Sequence, residues 1–431
     1  MHLNLQQVES LMDRPVAIFG KGVTGRAVAE FLSTRGVSSV FYDEQPHLSG
    51  DETSDFLGAP IGLHRLVIVS PGFSTQHAWV KAAREMDMTC ITDLDLAAFY
   101  WTGKTLAITG TNGKSTLTLL LEQALKGCGQ DAIACGNIGR PLVAATPLDQ
   151  PEAWAVCEVS SFQSEAMVNF RADAAIWTNF DEDHLDRHGS LEAYFRAKLR
   201  LLEACRKPGA PSWVGPTVAE AALELNIDLP DQTRIIPLNP GALEALDDRS
   251  PFKFTPQSEN FSIGVAFWEH FGFAREDLLQ AANNFKGLPH RIEQVEDLKG
   301  LKIWNDSKAT NFSAALAALR RFDQRVQWIA GGRSKGGDFE KFLKLAAPHV
   351  GKAYFIGEVA LELLEHARRQ KIPAEPFTGL EAAIHAAMRE ARAPGDILFS
   401  PGFASFDQYL DYADRGDAFK RLVKKMKVHT A

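Results

Sequence analysis

A chain of 431 residues is too long for one compact core and divides into two to four domains. With 45% hydrophobic and 23% charged residues it can bury a sizeable core, and its formal net charge of -8 argues against a broad nucleic-acid-binding surface. No apolar run approaches the ~20 residues needed to cross a bilayer, and no basic-then-apolar leader pattern is present, so a cytoplasmic protein without membrane insertion is expected. The cysteines at 90, 128, 135, 157 and 205 form no C-x-x-C pair and leave an odd count, which fits a reducing compartment.

The first apolar strand, from Val16 to Phe19, runs into Gly20, Gly22 and Gly25 in a G-x-G-x-x-G pattern and then into a helical pattern. A second strand ends at Asp43, and a third, Leu66 to Val69, opens into Ser70-Pro71-Gly72. This is the outline of a Rossmann-type site, with Gly22, Val23, Thr24, Asp43 and Ser70 on the loops that follow the strands. Alone, the fingerprint is weak: the same glycines serve any tight strand-to-helix turn, whether or not it receives a diphosphate. A small domain over residues 1–93 is expected.

Thr105 to Thr109 is the next strand, followed by Gly110-Thr111-Asn112-Gly113-Lys114-Ser115-Thr116 and a leucine-rich helix. Phosphate groups are held best by backbone N–H groups at a helix start, and the two glycines permit that approach. Lys114 then lies across the outer phosphates, and the Ser115 hydroxyl suits the Mg²⁺ that accompanies ATP. The usual loop would place a glycine where Ile108 stands, so this one is shorter by two residues. Strand and helix signals alternate onward, which favours a parallel sheet covered by helices. Asn137 lies in a Gly136–Gly139 turn, Glu158 ends a strand, and His184 stands among Asp181, Glu182, Asp183 and Asp186. Strand ends in such a sheet share one rim, which would bring Glu158 and His184 near metal-bound phosphates. By position alone Lys198 reads as a solvated charge on the helix from Leu191. The proline-rich stretch 207–257 reads as an edge of the middle domain remote from the chemistry, and helical periodicity returns from Ile263 to Phe285.

After Gly287-Leu288-Pro289-His290-Arg291, a third α/β segment begins. Leu301 to Trp304 is a strand leading to Asp306, Lys308 and Thr310; Lys335 and Ser405 lie on loops after later strands. Such cationic and hydroxyl groups, recurring after successive strands, grip carboxylates. The fold class expected is α/β with three domains: Rossmann-like over 1–93, a central P-loop ATPase-like parallel sheet over 94–288, and Rossmann-like over 289–431. The terminal run from Lys420 to Lys427 reads as a solvated helix face.

Taken together, these segments resemble the Mur ligases, ATP-dependent amide-forming enzymes of peptidoglycan precursor synthesis. The resemblance rests on Gly110 to Thr116, Gly136 to Gly139, Glu158 to Gln163, Glu182 to Asp186, Arg196 to Lys198, Leu288 to Arg291, Asn305 to Asn311 and Ser405 to Gln408, and so spans all three domains. It implies a monomeric ligase that uses ATP and Mg²⁺ to join D-glutamate to UDP-N-acetylmuramoyl-L-alanine through an acyl phosphate. Gly22, Val23, Thr24, Asp43 and Ser70 would hold the UDP part, with Asn137 and His184 along the rest of that substrate. Gly110 to Thr116, Arg291 and Asp306 would bind ATP; Ser115, Glu158, His184 and a carbamylated Lys198 would hold the metal. Lys308, Thr310, Lys335 and Ser405 would receive the amino acid. Lys114, Glu158, His184 and Lys198 would form the catalytic set, and a swing of the third domain about residues 287–291 would close it.

Three segments depart from the family pattern. Asp43-Glu44-Gln45 stands where an arginine is usual near the uracil, Glu259-Asn260 lacks a second asparagine at Ile263, and Gly402-Phe403 replaces the commoner Ala-Cys. A related ligase adding another amino acid such as L-glutamate therefore stays open. Two readings from other classes are an NAD(P)-dependent oxidoreductase, from the glycines at 20–25 alone, and a non-catalytic nucleotide-binding regulator.

Overall fold

The computed structural model describes residues 3–44, 55–148, 150–203, 207–248 and 250–430; Gln45 and Cys205 lie outside the described residues. Among these residues the strands form three sheets. The chain divides into two compact units, one of Met1–Phe180, Glu192–Lys253 and Gln257–Asn284, the other of Asp181–Leu191, Phe254–Pro256 and Phe285–Ala431.

In the first unit, β1 (Val16–Phe19), β2 (Ser39–Tyr42), β3 (Leu66–Val69) and β4 (Thr89–Thr92) pair in parallel in the order β2-β1-β3-β4. Every residue of β1 and β3 is buried, as expected where a parallel sheet is covered on both faces. The chain steps to one side of β1 for β2 and to the other for β3, so a crevice opens beyond the carboxyl ends of β1 and β3. Helix Val23–Ser33 begins there, and it lies so close to β1 that a Cβ on Gly25 would stand 1.9 Å from the Gly20 carbonyl oxygen.

The same unit carries β5 (Lys104–Thr109), β6 (Ala132–Gly136), β7 (Trp154–Glu158), β8 (Ala174–Trp177), β9 (Ser212–Val214) and β10 (Thr233–Ile235), all parallel, in the order β10-β9-β8-β5-β7-β6. β5 is central, flanked by β7 and β8, so their loops surround whatever follows Thr109.

One buried carboxylate ties the two sheets together. Asp95, fully buried on helix Asp93–Ala98, closes a capping box with Thr92 and accepts the backbone N–H groups of Val168, Asn169 and Phe170 at 3.0, 2.6 and 2.8 Å. Removing it leaves several buried donors without an acceptor. Asp95→Ala is expected to lower unfolding stability by about 3 kcal/mol in urea titrations; a change within ~0.5 kcal/mol would contradict that role.

In the second unit, β11 (Glu293–Leu298), β12 (Leu301–Asn305), β13 (Val326–Gly331), β14 (Val350–Ile356), β15 (Ala374–Pro376) and β16 (Gly395–Phe399) form the order β11-β12-β16-β13-β14-β15. Only the β11–β12 pair is antiparallel among them. Side-chain alternation sends Trp328 and Phe355 into one core with Phe342, and Ile329 and Tyr354 into another with Phe399 and Phe419. Helix Tyr412–Thr430 buries Phe419, Val423 and Met426 against the second of these. Its lysines are therefore not uniformly solvated: Lys420 pairs with Asp417 at 3.1 Å and Glu293 at 3.5 Å.

Candidate active site

At the crevice of the first sheet, Gly20 has φ 97°, and a Cβ there would lie 3.1 Å from Ser70 Oγ, so the loops after β1 and β3 touch. Ser70 Oγ is buried without a hydrogen-bond partner. Asp43 accepts the Lys21 backbone N–H at 2.7 Å, so its carboxylate fixes the glycine loop itself. Val23 is 72% exposed at the start of the helix. Glu44, beside Asp43, pairs with His77 at 3.2 Å.

The phosphate loop after β5 is shaped by contacts that exclude side chains. A Cβ on Gly110, at φ 148°, would fall 1.9 Å from Thr178 Oγ1, and one on Gly113, at φ 80°, would fall 1.8 Å from Asn260 Nδ2. Asn179 clamps the loop at both ends of Asn112: its Oδ1 accepts the Asn112 N–H at 2.8 Å, and its Nδ2 donates to the Asn112 carbonyl at 2.9 Å. Thr178 Oγ1 donates to the same carbonyl at 2.9 Å, and Thr111 N–H donates to the Asn179 carbonyl at 3.0 Å. The loop ends on Gly113, which starts helix Lys114–Gly127 with Ser115 and Thr116 buried in its first turn. Such a start concentrates N–H groups and positive dipole for an anion.

Two ammonium groups converge on one carbonyl of this loop. Lys114 Nζ donates to the Gly110 carbonyl at 2.7 Å and to that of Thr111 at 2.9 Å, while Lys198 Nζ donates to Gly110 at 2.8 Å. Lys198 is 1% exposed, so its position on helix Leu191–Glu203 makes it no solvated charge. The helix turns an amphipathic face inward, and Lys198 lies on that face beside Tyr194, whose ring centre is 4.8 Å from Nζ.

At the end of β7, Glu158 is 2% exposed. Its Oε1 accepts from Asn137 Nδ2 at 2.8 Å, whereas its Oε2 is buried with no partner. A hard divalent cation that takes one carboxylate oxygen, a hydroxyl and phosphate oxygens fits this donor set, with Ser115 supplying the hydroxyl. No cluster of three or more His, Cys, Asp or Glu side chains suited to a metal occurs among the described residues.

His184 belongs to the second unit, where it starts a short helix at φ 53° and its Nε2 lies 3.6 Å from Asp183 Oδ2. Asp183 also accepts from Lys335 Nζ at 2.7 Å and Asn311 Nδ2 at 2.9 Å. Burial opposes its ionisation, yet Lys335, His184 and Asn311 together hold its carboxyl down at about 2. A carboxyl held below its unfolded value adds stability that is complete above pH ~4 and lost as pH falls toward 2, here about 2 kcal/mol. Lys335→Met is therefore expected to be less stable than the parent at pH 6, with the gap narrowing by about that amount at pH 2 in paired denaturant titrations. A gap constant with pH would contradict the pairing.

Asp183 and Lys335 line a cavity of about 290 Å³ together with Thr310 and Asn311. Lys308 and Ser405 do not line it: Lys308 Nζ lies 3.7 Å from the centre of the Tyr412 ring, and Ser405 is buried. Asp306 is also buried, accepting from Ser400 Oγ at 2.7 Å and the Ile292 N–H at 3.2 Å, and burial pushes its carboxyl up to about 7. It thereby anchors the turn that carries half-buried Arg291.

Thr178 and Asn179 were not among the expected site residues, and Asn260, noted for its segment's departure from the family pattern, packs on Gly113. The Thr-Asn pair directly after an apolar strand was the available signal, but its role depends on β8 lying beside β5. The stretch 207–257 is also less remote than expected: Gly215 packs on the Thr178 carbonyl, and Thr217 Oγ1 accepts the Phe180 N–H at 3.0 Å.

Residues 108–215 match the Mur ligase middle domain and residues 290–402 the Mur ligase glutamate ligase domain. A UDP-N-acetylmuramoylalanine–D-glutamate ligase of Geobacter sp. (strain M21) is 32% identical, the alignment covering 96% of this chain and 98% of that protein. The enzyme of that name from Gloeobacter violaceus is 33% identical over 95% of this chain and 98% of its own length. Among solved structures, UDP-N-acetylmuramate-alanine ligase MurC of Thermotoga maritima aligns with a TM-score of 0.59 at 17% identity over 96% of this chain and 99% of its own. MurF ligase of Thermotoga maritima, solved with ADP, aligns at 0.58 and 14% identity over 99% and 98%. These two share the fold. Among the described residues no helix is long and apolar enough to cross a membrane.

Proposed function

The chain belongs to the Mur ligase family, and we propose that it joins D-glutamate to UDP-N-acetylmuramoyl-L-alanine while ATP is converted to ADP and phosphate. The Lys114 ammonium on the clamped phosphate loop carries this reading, because a cation set at a helix start suits a polyanion whose outermost group is transferred. The two D-glutamate ligases matched over nearly their whole length support the choice of acceptor and amino acid.

A carboxylate is a poor electrophile. In the proposed sequence an acceptor carboxylate oxygen attacks the γ-phosphorus and ADP leaves, giving an acyl phosphate. The amine of glutamate, after losing a proton, adds to the acyl carbon, and the tetrahedral intermediate expels phosphate. Both steps gather negative charge. Lys114 and the loop N–H groups would neutralise the phosphates, and the crevice lined by Gly22, Thr24 and Ser70 would hold the UDP part. Glu158 and Ser115 would hold Mg²⁺, with His184 and a carbamylated Lys198 completing the set; when bound, the cation offsets charge on the phosphate oxygens. Arg291 and Asp306 would contact ATP from the C-terminal segment, and Thr310, Lys335, Lys308 and Ser405 would take the amino acid. Domains over 1–93, 94–288 and 289–431, a swing about residues 287–291 that excludes water, a monomeric state and a cytoplasmic location complete the proposal. Phosphate release that requires both UDP-N-acetylmuramoyl-L-alanine and D-glutamate tests it. Equal release with L-glutamate would move the assignment to a variant ligase, and release independent of the acceptor would exclude it.

A further inference from the structure

We propose that Phe312 is a positioning residue of the amino-acid site, its ring holding in register the three loops that carry Thr310, Lys335 and Ser405. This role, which rests on the proposed function, falls to a residue outside the segments that resemble the family. Each of the three groups stands two positions from Phe312 itself or from a contact of its ring. Thr310 precedes Phe312 by two residues on the loop after β12. Gly337, two beyond Lys335, lies against the ring, since a Cβ on it would fall 2.6 Å from Phe312 Cε2. Phe403, two before Ser405, meets the ring edge-on at 5.2 Å between centres.

The ring is itself fixed by the next helix. Phe312 stacks on Phe342 at 4.3 Å with the planes 10° apart, and it meets Phe339 edge-on at 5.6 Å. Both partners belong to helix Phe339–Ala346, which leaves the Lys335 loop at its N-cap, Asp338. The glycine of the unusual Gly402-Phe403 pair lets Phe342 approach, since a Cβ there would lie 3.1 Å from its Cζ. Aromatic contacts of this kind have preferred geometries, so they fix orientation as well as distance.

The Lys335 loop needs such a support. Gly336 and Gly337 follow the lysine with φ 88° and 111°, and backbone of that freedom stays in place only where its surroundings hold it. Before Lys335 the loop is tied by the backbone pair Arg333–Ala404, at 2.9 and 3.1 Å, which joins it to the segment of Ser405. After Lys335 the Phe312 ring packs on it, while the ammonium reaches Asp183 at 2.7 Å. Phe312, Gly337 and Phe403 line the same cavity as Thr310 and Lys335, so a shift of the ring displaces wall and charge together.

Two variants of the full chain disturb this contact from opposite sides. Phe312→Ala removes the ring, and Gly337→Ala adds a methyl group against it on an exposed loop. Each is expected to raise KM for D-glutamate about tenfold, with KM for ATP and for UDP-N-acetylmuramoyl-L-alanine within about twofold of the parent. Phe312→Leu, which refills part of the space, is expected to recover most of the loss. Leu363→Ala, a deletion in the same core from helix Ala360–Arg369, is expected to lower the thermal midpoint as Phe312→Ala does while leaving all three KM values unchanged. An unchanged KM for D-glutamate in either loop-contact variant, a parallel rise in all three KM values, or an equal rise in Leu363→Ala would overturn the positioning role. A second readout needs no turnover: labelling of Lys335 by a neutral amine-reactive ester, followed by mass spectrometry. It is expected to run several-fold faster in Phe312→Ala, as the ammonium loosens from Asp183. An unchanged rate would overturn the role, whereas faster labelling in a protein whose phosphate release ignores D-glutamate would keep it and overturn the assignment of the amino acid.

Discussion

Replacing Lys114 with methionine is expected to lower kcat for phosphate release by about a thousandfold, with little change in folding stability. The large effect follows from where the charge stands. Lys114 is the helix-start residue of the phosphate loop, and its ammonium donates to the carbonyls of Gly110 and Thr111, beside the proposed place of the transferred group. The small effect on folding follows from how the loop is held. Asn179 and Thr178 clamp it through Asn112, and Gly110 and Gly113 pack against Thr178 and Asn260, none of which needs the lysine. The measurements are steady-state phosphate release and urea unfolding on the same preparation. A loss of activity below tenfold would show that the ammonium does not act on the transferred group.

Glu158→Gln is expected to reduce kcat/KM by about a hundredfold and to raise the Mg²⁺ concentration needed for half-maximal activity. The substitution is close to isosteric. The amide oxygen still accepts from Asn137, so the end of β7 stays in place, but the unpartnered oxygen loses its negative charge. A structural role alone predicts a different outcome: lower stability with an unchanged dependence on Mg²⁺. Activity is therefore read across a Mg²⁺ titration, and parallel curves for parent and variant would contradict a metal-holding role.

What the sequence made legible was local. β1, β3, β5 and β7 each carry an apolar run, and they lead to Gly20, Ser70, Gly110 and Glu158, so both the strands and the loops after them can be read directly. The phosphate loop is contiguous, and its glycines carry positive φ angles as their spacing requires. β11 was not legible because Glu293, Gln294, Glu296 and Asp297 give it a polar edge-strand composition, and only its antiparallel partner β12 makes it a strand. Lys198 misleads for a related reason. A lysine four residues after Tyr194 looks solvated until the helix face is known to turn toward the phosphate loop, and that depends on β8 and its following segment. Asn179 and Asn260 act on the loop from far along the chain, so their contacts with it depend on the fold and not on a contiguous run. Among the polar residues after the third-sheet strands, the expectation of one gathered set resolves into separate places: Thr310 and Lys335 line a cavity, Lys308 rests on Tyr412, and Asp306 is buried on Ser400. Sequence order fixes which loop carries each of these groups, but not the direction of the side chain.

In the proposed reaction an acceptor carboxylate is activated by phosphoryl transfer at this loop before it meets an amine. This step is tested most directly with UDP-N-acetylmuramoyl-L-alanine carrying ¹⁸O in its terminal carboxylate, turned over with ATP and D-glutamate. Because an acceptor oxygen attacks phosphorus and leaves with it, one ¹⁸O is expected in each phosphate released, read by mass spectrometry. Phosphate without label, with the ¹⁸O lost from the acceptor recovered in water, would contradict it.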